Sequence, residues 1–575
     1  MIRLAPESTT STHAESSTQP VRVADWSMGV AVGLIALVGV IVVIRDRSWL
    51  PVSDLAILEM QVRALAQEPA FVGSYSRFGW NHPGPMFFYL MWGPWRLTGG
   101  NGFGLLLGML LLQLAAVGIS WLAARAVSTA AAVLVTTGLL IVWASGAPGE
   151  ALAPWNPQVG LILGGAVVVL AWNAAVRGKA GGLLLLPVAT IMVQGHVGAV
   201  VLVSAVCATG VVAAGIGWGQ VRDVPWRAWL ASAAVTAAMW ALPLWEQVRP
   251  GGGNLTAIVT SDPGPGLGLG RAFTVVADAF ATVPYWWSPT LGFLPDQWGW
   301  PIWASLPLAA VVVAIHRRDA VHLRALAVAA AAGAAAVLSV WRVAEPYSYL
   351  VAWLPAVAVT IVALSAWVLI DSFGGGSRVA WFAPVLLGLS AVGVAVNLLT
   401  NSASFHDRAP RIQEVLDVVA DREIGSAGVH LVARPLTGTN TLEWLVAVAN
   451  ELERRGIEVS ADLPAEWPTS LAGLIATDAG TRTPVMVRVL DGPAHRPPPG
   501  WQAVATDDPF TPAEWIELSR LRAVVADPAA SDDERWAAGL AVADITAGRE
   551  AWQILVPSDG KQERHPSRIA GSIPR

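Results

Sequence analysis

The sequence predicts a mainly α, polytopic transmembrane helical bundle of about eleven spans, followed by a small C-terminal α/β domain. Three observations carry this. Of 575 residues, 54% are hydrophobic and only 13% are charged, against a usual charged share of about 25%. Mean hydropathy is +0.54, which excludes a soluble enzyme on a single anchor. Finally, the long apolar runs stop near Asn401, where the composition becomes that of a soluble domain.

The chain divides accordingly. Residues 1–24 are polar and rich in Ser and Thr, and read as a disordered cytoplasmic tail. Residues 25–400 form the membrane domain, with an external loop at 46–100. Residues 401–555 form the α/β domain, and 556–575 a disordered end. No small-residue cleavage site follows the first apolar run, so that run reads as an uncleaved anchor. Spans of about 17–25 residues are expected near Trp26–Ile44, Phe103–Ala124, Ala130–Ser145, Val159–Ala175, Trp229–Leu244, Ile302–Ile315, Leu326–Val340, Tyr349–Ile370 and Ala380–Leu399. Met86–Leu97 is too short to span comfortably and reads as a juxtamembrane or re-entrant helix. The run Gly181–Trp218 is too long for one span. Gln194-Gly195-His196 lies at its centre, where glycine permits a reversal, so two abutting helices are expected.

The C-terminal region shows a strand at Gly428–Arg434, an amphipathic helix at Thr441–Arg455 and a second strand at Pro484–Leu490. A stiff connector follows at Arg496–Gly500. Helices are expected at Thr511–Val525 and Asp532–Ile545, the first capped by Thr511 with Glu514 three residues on.

Arginine and lysine in short loops set orientation. Arg125, Arg177, Lys179, Arg222, Arg227, Arg317, Arg318, Arg324 and Arg378 fall on one side, while the opposite loops hold Arg249, Arg271 and Arg342. The N-terminus is therefore expected in the cytoplasm and the C-terminal domain outside a plasma membrane. Many of the 29 tryptophans fall near span ends, as an interfacial belt would place them. The single cysteine, Cys207, forms no internal disulfide. Net charge is −5, and nothing points to nucleic acid as a partner.

Chemistry concentrates in Asp54–Tyr89, the first polar interval after the first span. Asp54 follows Pro51-Val52-Ser53 and opens a helix-like segment. It could serve as a helix cap or as a general base: a carboxylate beside a membrane, shielded from water, can take a proton from a sugar hydroxyl. Glu59, five residues on, sits about 140° around the same helix, so a carboxylate dyad would need a broken helix. Arg77, Asn81, His82 and Tyr89 surround the Pro-Gly-Pro corner at 83–85. Arg77 and His82 suit an anionic phosphate, or a structural pair with a carboxylate such as Glu59. Gln194 and His196, polar at membrane depth, are binding candidates or a helix–helix hydrogen bond. Glu246 and Arg342 lie in further outer loops rich in Trp, Pro and Gly. The chain lacks a Walker P-loop, a GxSxG elbow, an HExxH motif and a CxxC pair.

These features resemble the GT-C superfamily of polyprenyl-phosphate-sugar-dependent glycosyltransferases over about residues 26–400. The resemblance rests on the first-loop acid in SDLAILE, the GSYSRFGWNHPGP turn and the break at Gln194-Gly195-His196. The composition and the HPGPxxFY stretch are similar to actinobacterial arabinofuranosyl- and mannosyl-transferring members. The resemblance implies an inverting transfer from a polyprenyl-phosphate sugar to a glycan, lipid or protein acceptor of the cell envelope, in contact with the bilayer. Asp54 would be the base, and Arg77, His82, His196 and Arg342 would stabilise the departing phosphate. The sequence departs from several relatives in having Leu55 where they place a second acid. That leaves open the role of Glu59 and the use of a divalent metal, Mg or Mn in members that have one. Two other classes stay open: a transporter or flippase for a lipid-linked sugar, and a glycan-binding assembly protein.

Overall fold

In the computed structural model, seven helices among the described residues are long and apolar enough to cross a bilayer. The structure describes residues 11–76, 78–146, 151–177, 180–215, 226–262, 264–287, 301–343, 347–401, 409–420, 429–432, 440–462, 485–490, 496–527, 529–546, 549 and 551–557. Contacts divide the chain into two units, one of residues 1–51 and 58–406, the other of residues 52–57 and 407–575.

In chain order the helices are α1 (Ser11–Arg45), α2 (Asp54–Ala64), whose first four residues belong to the second unit, and then, in the first unit, α3 (Met86–Leu97), α4 (Phe103–Arg125), α5 (Thr129–Ala144), α6 (Gly160–Arg177), α7 (Ala180–Gly195) and α8 (Val200–Gly215). They continue with α9 (Trp226–Val248), α10 (Asn254–Thr260), α11 (Leu269–Asp278), α12 (Ser305–Arg317), α13 (Ala320–Trp341), α14 (Leu354–Ser372), α15 (Gly376–Trp381) and α16 (Ala383–Asn401). The expected total of about eleven spans counts Trp229–Leu244 and three apolar helices of 10–17 residues, Thr129–Ala144, Gly181–Gly195 and Ile302–Arg317, as crossings.

Several boundaries differ from expectation: α13 starts at Ala320 rather than Leu326, α12 at Ser305 rather than Ile302, and α9 runs Trp226–Val248 rather than Trp229–Leu244. Helix α1 starts at Ser11, within the stretch read as a tail, while its apolar span begins only at Gln19. Helix α14 starts at Leu354 rather than Tyr349, because Ser348–Val351 makes a separate 3₁₀ turn. Helix α16 starts at Ala383, after the short α15.

The span ending in α6 is the centre of the bundle, with 94% of its apolar window buried. It packs against α7, α8, α4 and α14, while α1 packs on α16 and α5 on α14 and α16. Chain ends are set locally: Ser128 Oγ caps α5 by accepting from Ala131 N, and Asp319 caps α13 by accepting from the Val321 and His322 amides. Buried polar side chains satisfy backbone groups between helices. Asn173, fully buried, donates to the Ala123 carbonyl at 2.8 Å and accepts from Gly181 N at 2.7 Å, so one amide ties α4, α6 and α7.

Glycine brings α6 and α7 close. A Cβ on Gly181 would lie 2.2 Å from the Leu170 carbonyl oxygen and 2.5 Å from Ala174 N, both backbone atoms. Gly181→Ala is therefore expected to push the helices apart, break the Asn173 bridge and cost about 2–4 kcal/mol. Gly33→Ala, where an added Cβ meets nothing within 4 Å, is the control. Equal thermal midpoints for the two variants would contradict this packing account.

The second unit holds a five-stranded sheet ordered β2-β1-β3-β5-β4, from β1 (Val429–Val432), β2 (Val459–Asp462), β3 (Val485–Val489), β4 (Trp501–Asp507) and β5 (Trp552–Pro557). β1 pairs in parallel with β2 and β3, while β5 runs antiparallel to β3 and β4. Helices α17 (Ala409–Ala420), α18 (Asn440–Arg454), α19 (Pro512–Ala526) and α20 (Asp532–Ile545) belong to it. The expected cap of α19 is present as a full capping box between Thr511 and Glu514, and Ser531 and Glu534 repeat it on α20. Arg549 pairs with both carboxylate oxygens of Glu514, at 2.6 and 3.0 Å, and this holds the Glu514 carboxyl down to about 2.

Candidate functional site

A hairpin in the polar interval between α2 and α3 builds one wall of the candidate site. The amide of Gly73 donates to His82 O and that of His82 to Ser74 O, while Ser76 N donates to Trp80 O. Gly79, at φ +80°, makes the tight turn in a conformation that favours glycine. In this hairpin Trp80 and His82 are two residues apart and share a face. Their rings meet edge-on at 5.7 Å, and Phe78 stacks against Trp80 at 5.8 Å. Tyr89 on α3 ties the hairpin down, its hydroxyl donating to the Ala70 carbonyl at 3.5 Å.

The break between α7 and α8 forms the facing wall. The expected reversal at Gly195 is present, but its cause differs. His196 carries the extended conformation, φ −151°, and Val197–Ala199 makes a 3₁₀ turn. Gly195 is needed for space, since a Cβ there would press on Val159 at 3.2 Å. The break and the hairpin lock together: Val197 N donates to His82 Nδ1 at 3.2 Å, and the His82 and His196 rings lie 5.0 Å apart. Both histidines are buried. With Nδ1 accepting, the neutral His82 ring carries its proton on Nε2.

Gln194 is fully buried and both ends of its amide are occupied. Oε1 accepts from Met86 N, at the first residue of α3, at 3.4 Å. Nε2 donates to the Met239 carbonyl at 2.8 Å. Met239 lies four residues before Pro243, which sits inside α9 and has no N–H to give. Gln194 thus supplies the hydrogen bond that proline removes from the helix, and also meets an orphan amide at a helix start. The Pro-Gly-Pro corner depends on this amide: a Cβ on Gly84 would lie 2.3 Å from Gln194 Cδ and Oε1.

The end of α9 and the start of α10 complete the arrangement; Glu246, expected in a loop, lies in the last turn of α9. Asn254 clamps the Asn81 backbone, its Oδ1 accepting from Asn81 N at 2.8 Å and its Nδ2 donating to Asn81 O at 2.9 Å. Glu246 accepts from the Gly253 and Asn254 amides. Arg249 lies over the Phe71 ring, 4.4 Å from its centre. From another loop, Asn156 Nδ2 donates to the Gly195 carbonyl at 3.3 Å, and Trp155 packs on Tyr349 with ring centres 4.8 Å apart.

Among the sequence candidates, Asn81, His82, Gln194, His196 and Glu246 therefore form one connected cluster. Gln194 and Glu246 act on backbone groups within it. Arg77 lies outside the described residues. Glu59 is fully buried and accepts from Trp95 Nε1 at 3.1 Å, tying α2 to α3. Arg342 is exposed at the C-terminus of α13, beside the Gly266–Leu267 segment. Asp54 opens α2 directly after Ser53, whose φ of +55° is strained for a non-glycine residue. Asn156 and Arg249 were not singled out as site residues; their only sequence signal is a place beside proline in segments between apolar runs. Among the described residues, no group of three or more His, Cys, Asp or Glu side chains could hold a metal ion.

The electrostatics correct one expectation. Burial holds the His82 ring well below the ordinary histidine range, and the neighbouring His196 lowers it further. Burial brings His196 down to about 4. Neither ring is then a cation near neutral pH in the protein alone, and burial works against the positive charge expected of them for a phosphate. Between about pH 6.5 and 4 the unfolded chain binds protons at these residues that the folded chain refuses, so stability falls as pH falls through that window. The slope is up to about 1.4 kcal/mol per pH unit for each histidine, and the pair contributes no slope above about pH 7. A pH series of thermal midpoints on the wild type and on the double variant His82→Gln/His196→Gln should show a shallower acid slope in the variant. Parallel curves would contradict the buried neutral pair.

No protein-family model matches the chain, and no curated protein matches it. Two solved structures of ArnT from Cupriavidus metallidurans are similar in fold, one bound to undecaprenyl phosphate and one in the apo state. Identity is 14% and 13%, with 80% of this chain and 93% of theirs covered, at TM-scores of 0.49 and 0.48. The chain itself has a helical bundle of membrane-crossing length and composition, with a cluster of aromatic rings, amides and neutral imidazoles built from its inter-helix loops.

Proposed function

We propose that this protein is a plasma-membrane glycosyltransferase of the GT-C kind, with its N-terminus in the cytoplasm and its C-terminal domain outside. It moves a sugar from a polyprenyl-phosphate donor to a cell-envelope acceptor. The supporting observation is the cluster at one set of loops: buried amides and imidazoles beside aromatic faces, on a scaffold otherwise given over to apolar packing. Such an arrangement recognises hydroxyl groups and an apolar ring face. In this reading the Asp54 carboxylate takes the proton of the acceptor hydroxyl. The acceptor oxygen then bonds to the anomeric carbon, the bond from that carbon to the phosphate oxygen breaks with inversion, and the lipid phosphate leaves. Positive charge for the phosphate comes from arginine, because the two histidines are neutral. Arg77, Arg249 and Arg342 are the candidates in the outer loops.

The test is reconstitution of the full chain in vesicles with decaprenyl phosphate carrying radiolabelled arabinofuranose or mannose, plus an envelope glycan extract. Label transferred to the glycan, with matching release of decaprenyl phosphate, is the expected result. Movement of intact lipid-linked sugar across the bilayer without cleavage would establish the flippase reading. Sugar binding without turnover would establish the assembly-protein reading.

A further inference from the structure

We propose that Trp80, His82 and His196 form an uncharged subsite for the sugar ring of the donor, separate from the groups that hold its phosphate. The inference rests on the glycosyl-transfer reading and deepens it by naming what reads the sugar.

The geometry separates these residues from their neighbours. Gln194, Glu246 and Asn254 spend their polar atoms on the backbone. His82 uses only Nδ1 in this way, accepting from Val197 N, so its Nε2–H is the nitrogen left to donate. Trp80 Nε1 is buried and has no hydrogen-bond partner. An unmet indole N–H inside a protein is costly, and a ligand hydroxyl would meet it. The Trp80 ring offers a flat apolar face, backed by Phe78 at 5.8 Å with 21° between the planes. The C–H face of a sugar packs on such a ring, whose face is electron-rich. His196 lies 5.0 Å from His82 and tilted 34° to it. Two imidazoles this close disfavour a proton on both, because like charges repel. N–H donors without net charge suit hydroxyls, whereas phosphate calls for guanidinium or ammonium groups.

The two nitrogens of His82 can be tested apart. Asparagine reproduces the Nδ1 acceptor and lacks the distal donor, while glutamine places an N–H near the Nε2 position. The full chain in nanodiscs is titrated with bare decaprenyl phosphate and with decaprenyl phosphate carrying arabinofuranose or, separately, mannose. Wild type is expected to bind at least one sugar-bearing lipid about tenfold tighter than the bare lipid. His82→Asn and Trp80→Ala should each lose about tenfold on that sugar-bearing lipid and leave bare-lipid affinity unchanged. His82→Gln should stay within about threefold of wild type on both. The subsite alone is overturned if the variants weaken both lipids in parallel, if wild type does not discriminate, or if Asn preserves sugar binding while Gln loses it. That last ranking would mean His82 serves only to hold Val197. A wild-type chain that binds neither lipid overturns the transferase reading and the subsite together.

Discussion

Asp54→Asn is expected to fold like the wild type and to lower sugar transfer by about a hundredfold or more. The fold is spared because asparagine starts a helix as well as aspartate does, and α2 begins at this residue. The neighbours that seat the turn are apolar and unchanged: Val52, Leu55, Ala56 and Ile57 are buried. The chemistry is lost because an amide cannot accept the hydroxyl proton, and a positioned base contributes about 10²–10⁴ in rate. Ser53 adds a reason to look here. Its left-handed backbone, at φ +55°, is the kind of strain that persists where the surroundings fix a functional side chain. Transfer by the Asn variant at a tenth of the wild-type rate or more would remove Asp54 from the mechanism. Loss of transfer together with a lowered thermal midpoint would make it a cap instead.

Gln194→Leu should be the most damaging single change in the cluster that keeps side-chain volume. Leucine fits the apolar surroundings but leaves two backbone groups unmet, the Met86 amide and the Met239 carbonyl. Each buried orphan costs about 1–3 kcal/mol, so a loss of about 2–6 kcal/mol is expected. The hairpin corner at Gly84, packed against the same amide, should loosen with it. The cause can be isolated, because the Met239 carbonyl is free only through Pro243. Adding Pro243→Ala to Gln194→Leu returns an N–H at the helix position four residues on, and should recover part of the loss. A double-mutant cycle reads this directly. Additive costs would show that Gln194 does not replace the bond that Pro243 withholds.

Much of the scaffold was legible in the sequence because long apolar runs have one outcome in a bilayer. Phe103–Ala124 and Ala130–Ser145 were expected, and α4 and α5 end within a residue or two of those bounds. Asp532–Ile545 was expected as a helix and matches α20 residue for residue, whereas α17 (Ala409–Ala420) was not foreseen. Strands β2, β4 and β5 were missed. Each is only 4–7 residues long, and the pairing that defines them lies far away in sequence. The site candidates were legible as residue types and not as roles. Gln194 and His196 lie two residues apart in one apolar run, yet one meets the carbonyl that Pro243 leaves without its helix hydrogen bond in α9 and the other packs beside His82.

By itself the sequence determined that this chain is a bundle of apolar helices with a soluble C-terminal domain, and which loops hold polar and aromatic residues. Both follow from local composition and hydrophobic period. Only the tertiary structure decided which of those side chains are spent on orphan backbone groups and which keep an N–H for a ligand. It also decided that His82 and His196 stay uncharged, because burial and proximity depend on contacts between residues more than a hundred positions apart.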